Sequence, residues 1–213
     1  MSSINVDFKR ELRDLHTARS TPGVVEVPQL RFLVIDGHGD PNTSTEYRDA
    51  VSALYAVAYA ARFALKRDGA LDYRVMPLEG LWWVPDMTRF SMEDKAAWHW
   101  TMMIMQPGEV SQQVYTDAKS TAAKKASASL ERVRLDELDE GLAVQILHRG
   151  PYSAEGPTVA ALHMFISEQG MQITGKHHEI YLSDPRRSAA ANMRTIIRQP
   201  VRRGAESAGD AAD

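Results

Sequence analysis

The chain has 213 residues, enough for one domain with about 70% of its unfolded surface removed from water, and 44% hydrophobic with 25% charged residues is an ordinary globular balance. Lys and Arg number 25 against 28 Asp and Glu, a net charge of −3, so no broad positive field exists to hold phosphate backbones and nucleic acid is not expected as a partner. Cysteine is absent, which removes thiol catalysis, thiolate metal sites and disulfides and fits a reducing compartment. Residues 1–10 lack the basic-then-apolar pattern of a leader, and no run approaches the ~20 apolar residues of a membrane span, so a cytoplasmic protein without a membrane partner is expected.

Taken in chain order, Phe8 to Ala18 is polar with a thin Leu12/Leu15 stripe and predicts a short helix ending at Pro22-Gly23. The apolar run from Gln29 to Ile35 predicts a strand that stops in a turn over Asp36 to Pro41. Thr43 and Glu46 have capping-box spacing, and Tyr47, Val51, Leu54, Tyr55, Ala58, Ala61 and Leu65 follow at helical intervals. Tyr73 to Val84, broken at Pro77, and Ala97 to Gln106 predict two strands. A linking helix is expected at about 109–129 and a polar bend at Asp136 to Gly141. The order then returns: a strand from Leu142 to Leu147, a helix opened by Gly156-Pro157 and stopped at Gly170, and strands at His177 to Leu182 and Thr195 to Val201. Residues 204–213 are too poor in apolar side chains to repay their ordering and are expected to be disordered.

Strand, helix, strand, strand occurs twice, first over about 28–106 and again over about 130–203. The expected fold is α+β: one domain over 1–203 made of two pseudo-symmetric β-α-β-β units whose antiparallel sheets meet edge to edge around a central cleft. A monomer or homodimer is compatible with the chain.

Familiar catalytic signatures are missing. There is no Gly-x-Ser-x-Gly elbow, no His-Glu-x-x-His helix and no Walker loop. Gly37-His38-Gly39 lacks the rest of a dinucleotide fingerprint, so no cofactor is expected. His177, His178 and Glu179 are neighbours in a strand, where successive side chains point to opposite faces, so they do not converge on a metal. The same alternation puts His177, Glu179 and Tyr181 on one face, a carboxylate one pleat from a phenol. Whether that face meets ligand or water is left open by pattern alone. Trp82 and Trp83 are adjacent and cannot both enter one core, while Trp98, Trp100 and Met102 share a face, as do Glu79, Leu81 and Trp83. Carboxylates among indoles suit a flat, polarised or cationic molecule.

Four strings, Ile35 to Asn42, Met76 to Trp83, Gln145 to Tyr152 and His177 to Arg187, resemble stand-alone GyrI-like small-molecule-binding proteins, over about Val6 to Arg202. The resemblance implies two β-α-β-β units around a cleft, an acidic residue for aromatic cations at Glu179, and, in one branch, hydrolases that open the cyclopropane of DNA-alkylating cyclopropanoid compounds. On that reading Glu179 is the base for water and Tyr181 the donor at the carbonyl oxygen that becomes a phenolate. Trp83 and Trp100 are the stacking candidates, with Trp98, Met102, His177 and Tyr152 also around the ligand and Glu79 or Glu155 as rival bases. The alternatives are a non-catalytic binder that sequesters or senses drugs, and a gyrase inhibitor, which would need an interaction surface that the sequence does not display.

Overall fold

The computed structural model describes residues 4–86, 94–123 and 128–204, without the side chain of residue 128. The part of the expected linking helix over residues 124–127 and the expected tail beyond 204 lie outside them. The first unit is built from β3 (Leu30–His38), α3 (Thr45–Arg67), β5 (Leu78–Trp83) and β6 (His99–Gln106). The second repeats it with β8 (Gly141–Arg149), α5 (Gly156–Glu168), β10 (His177–Tyr181) and β11 (Arg194–Arg203). Between them α4 (Gln112–Ala123) packs on α3.

All six strands join one antiparallel sheet in which β3-β6-β5 of the first unit meets β10-β11-β8 of the second. The meeting line is the β5–β10 pair, where Glu79 opposes Ile180, Gly80 opposes Glu179, Leu81 opposes His178 and Trp82 opposes His177. The α+β class and the repeat are therefore as expected. Each unit presents its second strand to the junction, as a twofold between β5 and β10 requires.

Alternating burial explains why each unit needs its own helix. Leu33, Ile35, Trp100, Met102 and Ile104 are fully buried and pack with Leu54, Val57, Ala58 and Ala61 of α3 in one large cluster. Val144, Ile146 and Ile197 do the same beneath Leu162 and Ile166 of α5 in a smaller one. Small residues along α3 allow the close approach. Gly37 shows the same constraint in β3: a Cβ there would stand 2.1 Å from the Trp100 ring, which lies flat across the strand.

Several local expectations are corrected. The N-terminal helix is two single turns, α1 (Phe8–Glu11) and α2 (Arg13–His16), hinged at Leu12. The cap of α3 is Ser44, whose Oγ accepts from the Tyr47 amide, not Thr43; Glu46 instead pairs with Arg132 at 2.8 Å. β3 continues through Asp36-Gly37-His38, and the chain turns at Gly39 with φ 92°. Half of the expected polar bend at 136–141 lies in strand β7 (Arg134–Leu138), an edge partner of β3, and Gly141 opens β8. Edge strand β2 (Gly23–Val27) and the short strands β1 (Ile4–Val6), β4 (Leu71–Tyr73) and β9 (Met171–Ile173) were not foreseen. These strands run only three to five residues, too few for an alternating pattern to stand out.

Candidate active site in the inter-unit cleft

A cleft of about 870 Å³ opens over the β5–β10 junction, between α3 and the short turn Tyr152–Ala154 that leads into α5. That is near the upper end of small-molecule sites. Its floor is Leu78 and Trp82 of β5 with Glu179 and Tyr181 of β10; Tyr47, Val51 and Tyr55 of α3 form one wall, and Tyr152 and Glu155 the other.

The floor is an aromatic lattice held by specific contacts. Trp82 Nε1 donates to Tyr181 Oη at 3.0 Å. The Trp82 ring lies 6.2 Å from Tyr47 at 28°, and 5.4 Å from Trp98 edge-on, while Tyr152 meets Tyr181 edge-on at 5.6 Å. A Cβ on Gly80 would stand 3.0 Å from Trp82 Nε1 and 3.1 Å from Tyr181 Oη, so glycine at that position leaves room for the bond between them. Two χ angles per ring and fixed neighbours make this a rigid bed for a flat ligand.

Two carboxylates enter the cleft, and both are buried. Glu179 is 7% exposed and its Oε1 lies 3.2 Å from His177 Nε2. Glu155, the residue before α5, is 1% exposed, and its Oε1 has no hydrogen-bond partner among the described residues. Burial first, then the negative charge of Glu179, push the Glu155 carboxyl up to about 9, against smaller pulls from Lys95 and Thr195. Glu155 is therefore a neutral acid at pH 7, beside a second carboxyl with a histidine on it. Burial and the neighbouring Glu179 also hold the Tyr181 hydroxyl well above the usual phenol range, so it too stays a donor.

The structure brings Glu179, Tyr181, Tyr152, Glu155 and Trp98 to the cleft and sets His177 directly behind Glu179. It does not bring Trp83, Trp100, Met102 or Glu79 there. Trp83 and Glu79 alternate onto the opposite face of β5. Trp83 stacks on His99, with Lys176 Nζ 3.2 Å from its ring centre. Trp100 and Met102 share the helix-covered face but lie one strand further out, fully buried in the core beneath α3. The indoles that line the cleft are Trp82 and Trp98.

Glu79 has a different position altogether. It accepts from His178 Nε2 at 3.0 Å, while His178 Nδ1 reaches Glu140 at 2.9 Å and Arg198 completes the group on Glu140 at 3.3 Å. Burial alone would raise the Glu79 carboxyl, but the His16 imidazole 3.8 Å away and the hydrogen bond from His178 outweigh it and hold it at about 2. Burial alone would lower His178, but the two carboxylates outweigh it and raise it to about 9. The N-terminal turns cover this network: Arg198 donates to Leu15 O at 2.7 Å and Gln145 to Asp14 O at 2.7 Å. Glu79 is thus ionised, fully paired and behind the sheet, and is not a base for cleft chemistry.

Sequence reasoning missed Tyr47, Tyr55, Trp82 and the turn after β10. Tyr47 and Tyr55 repeat on one face of α3 at a spacing of eight, a signal that ordinary core packing also produces. The chain leaves β10 after Tyr181, and Leu182 turns into the cleft.

Among the described residues no group of three or more His, Asp or Glu could hold a metal, and no helix is long and apolar enough to cross a membrane. Two pseudo-symmetric units, one continuous sheet and an aromatic, acid-lined cleft at their junction define a small-molecule-binding protein of the tandem β-α-β-β class. Residues 20–202 match the model of the GyrI-like small molecule binding domain, and the chain belongs to that family. An uncharacterised conserved protein from Listeria innocua is similar at 41% identity and TM-score 0.86, over 92% of this chain and all of that one. Two structures of Listeria innocua proteins described as hydrolases are similar at 38% identity, with TM-scores 0.84 and 0.81, over 93% and 92% of this chain and all of theirs. A search of curated proteins gave no significant match.

Proposed function

We propose that the protein hydrolyses flat aromatic compounds carrying a strained electrophilic ring, the cyclopropane fused to a dienone found in cyclopropanoid DNA-alkylating agents. The observation that carries this reading is Glu179: a nine-tenths-buried carboxylate on the cleft floor, facing a neutral acid and framed by Trp82 and Tyr181. The similarity to proteins described as hydrolases supports the same class of reaction.

The chemistry follows from the placement. The ligand lies on Trp82 with its edge toward Trp98 and Tyr47. Water attacks the least hindered cyclopropane carbon, the ring carbon–carbon bond breaks, and its electron pair moves through the dienone onto the carbonyl oxygen as a phenolate. Glu179 takes the proton from the attacking water, Tyr181 donates a hydrogen bond to the developing phenolate, neutral Glu155 gives that oxygen its proton, and the proton on Glu179 then passes to Glu155 and restores both groups. The product contains one added water, with a new alcohol and a new phenol. A general base of this kind contributes a factor of about 10²–10⁴, and one donor aimed at the developing oxyanion in a dry site about 10²–10³. His177 orients Glu179, and the flanking rings exclude bulk water.

Incubation with a cyclopropanoid, followed by mass spectrometry, tests the reaction: a product heavier by one water is expected from the wild-type protein. Glu179→Gln keeps shape and loses basicity, so it should lower turnover at least about a hundredfold while aromatic ligands still quench tryptophan fluorescence. Unmodified compound in a stoichiometric complex with the wild-type protein would replace the hydrolase with a sequestering binder.

A further inference from the structure

The cleft carries a charge opposite to the one its two buried acids suggest. Glu155 and Glu179 lie close enough to repel each other, and two carboxyls taken out of water together do not both ionise at neutral pH. Glu155 is the neutral one, with its Oε1 unpartnered among the described residues. Of the other charged side chains that line the cleft, Asp184 and Arg186 cancel through two bonds of 3.0 Å. Arg48 and Lys95 remain, against the single charge of Glu179, so the cleft is positive on balance.

The two cations are not equivalent. Arg48 is exposed, where water and salt screen it, whereas Lys95 is half-buried in the single turn Lys95–Ala97 that leads into β6. The Lys95 ammonium stands over the Trp98 ring, 5.3 Å from its centre, and Trp98 is one of the two indoles that line the cleft. The protein's own cation thus already sits on an indole that a ligand cation would use. Among the described residues Lys95 makes no hydrogen bond and no ion pair, and it reaches far enough to act on the Glu155 carboxyl. A half-buried ammonium with no counter-ion raises the potential of the space beside it. We propose that Lys95 is a specificity-determining residue, which repels cations from the indole floor and so makes the cleft select uncharged flat aromatic compounds over aromatic cations of the same outline. Resting on the cleft assignment above, this narrows the substrate class and reverses the preference for aromatic cations that the family resemblance implies. The same charge balance suits the ring opening, which moves negative charge onto the ligand.

Equilibrium binding tests this without catalysis. Acridine, uncharged at pH 8, and N-methylacridinium, a fixed cation of nearly the same outline, are titrated by fluorescence into wild-type protein, Lys95→Met and Lys95→Arg. Methionine keeps an unbranched stem without the charge, arginine keeps the charge, and thermal melts establish that each variant is folded. Wild-type protein should bind acridine at least about tenfold more tightly than the cation. In Lys95→Met that ratio should fall about tenfold through tighter binding of N-methylacridinium, with acridine unchanged within about twofold, and Lys95→Arg should keep the wild-type ratio. Adding Glu179→Gln to Lys95→Met should remove the gain for the cation, because both side chains act on the same cleft. Equal or tighter binding of the cation by wild-type protein, a ratio that Lys95→Met leaves unchanged, or a gain that persists without the Glu179 charge each overturns the role of Lys95. Acridine binding in those cases leaves the cleft assignment and its chemistry standing. Failure of both dyes to bind wild-type protein removes the cleft assignment and the charge selection together.

Discussion

Glu155→Gln isolates the cost of a neutral carboxyl in the cleft. The folded protein holds this group at about 9, whereas an unfolded chain ionises it near 4.5. Between those values the unfolded state binds fewer protons than the folded one, so stability falls as pH rises and levels off above about 9. At 1.36 kcal/mol per pH unit, the two and a half units up to pH 7 amount to about 3 kcal/mol. Glutamine has the same shape and nothing to ionise, so the variant escapes this cost. Thermal unfolding of both proteins from pH 4 to pH 9 should show melting points close together at pH 4. The variant should be higher by about 6–12 °C at pH 7, from about 2–4 °C per kcal/mol for a chain of this size. A gap independent of pH, or a variant less stable at pH 7 than the wild type, would refute the assignment of a protonated Glu155.

Three further outcomes follow from the placement of side chains. Trp98→Ala should weaken aromatic ligands about tenfold and, because its indole packs edge-on against Trp82 in the core, also cost a few kcal/mol, whereas Trp100→Ala should cost about 3–5 kcal/mol in chemical denaturation and leave ligand affinity of the folded fraction unchanged. Gly37→Ala drives a methyl group into the Trp100 ring and should destabilise by about 1–3 kcal/mol in the same assay. His178, raised to about 9 from the ordinary 6.5, contributes stability that is complete below pH 6.5 and lost as pH rises through 9. Denaturation midpoints of wild type and His178→Gln should therefore converge above pH 9, and parallel curves would contradict a protonated His178.

The long, strongly patterned elements were legible because their signal is local. The α3 periodicity, the Pro77 break before β5 and the Gly-Pro start of α5 each act within a few residues, and the twofold order of the units follows from them. The short edge strands were not, because β2 and β7 exist only through their partners β8 and β3. The site divides the same way. Strand alternation is a property of the chain itself, so Glu179 had to share a face with His177 and Tyr181, and Glu79 with Trp83. Which of those faces meets ligand could not be read locally, because it depends on where α3 and the N-terminal turns dock: α3 borders the Glu179 face and leaves a cleft, while residues 13–17 seal the Glu79 face with the His178–Arg198 network. The amino-acid order thus settled which side chains travel together, and the packing of the sheet's two faces decided which group enters the cleft, since burial and charge pairing are set by neighbours distant in sequence.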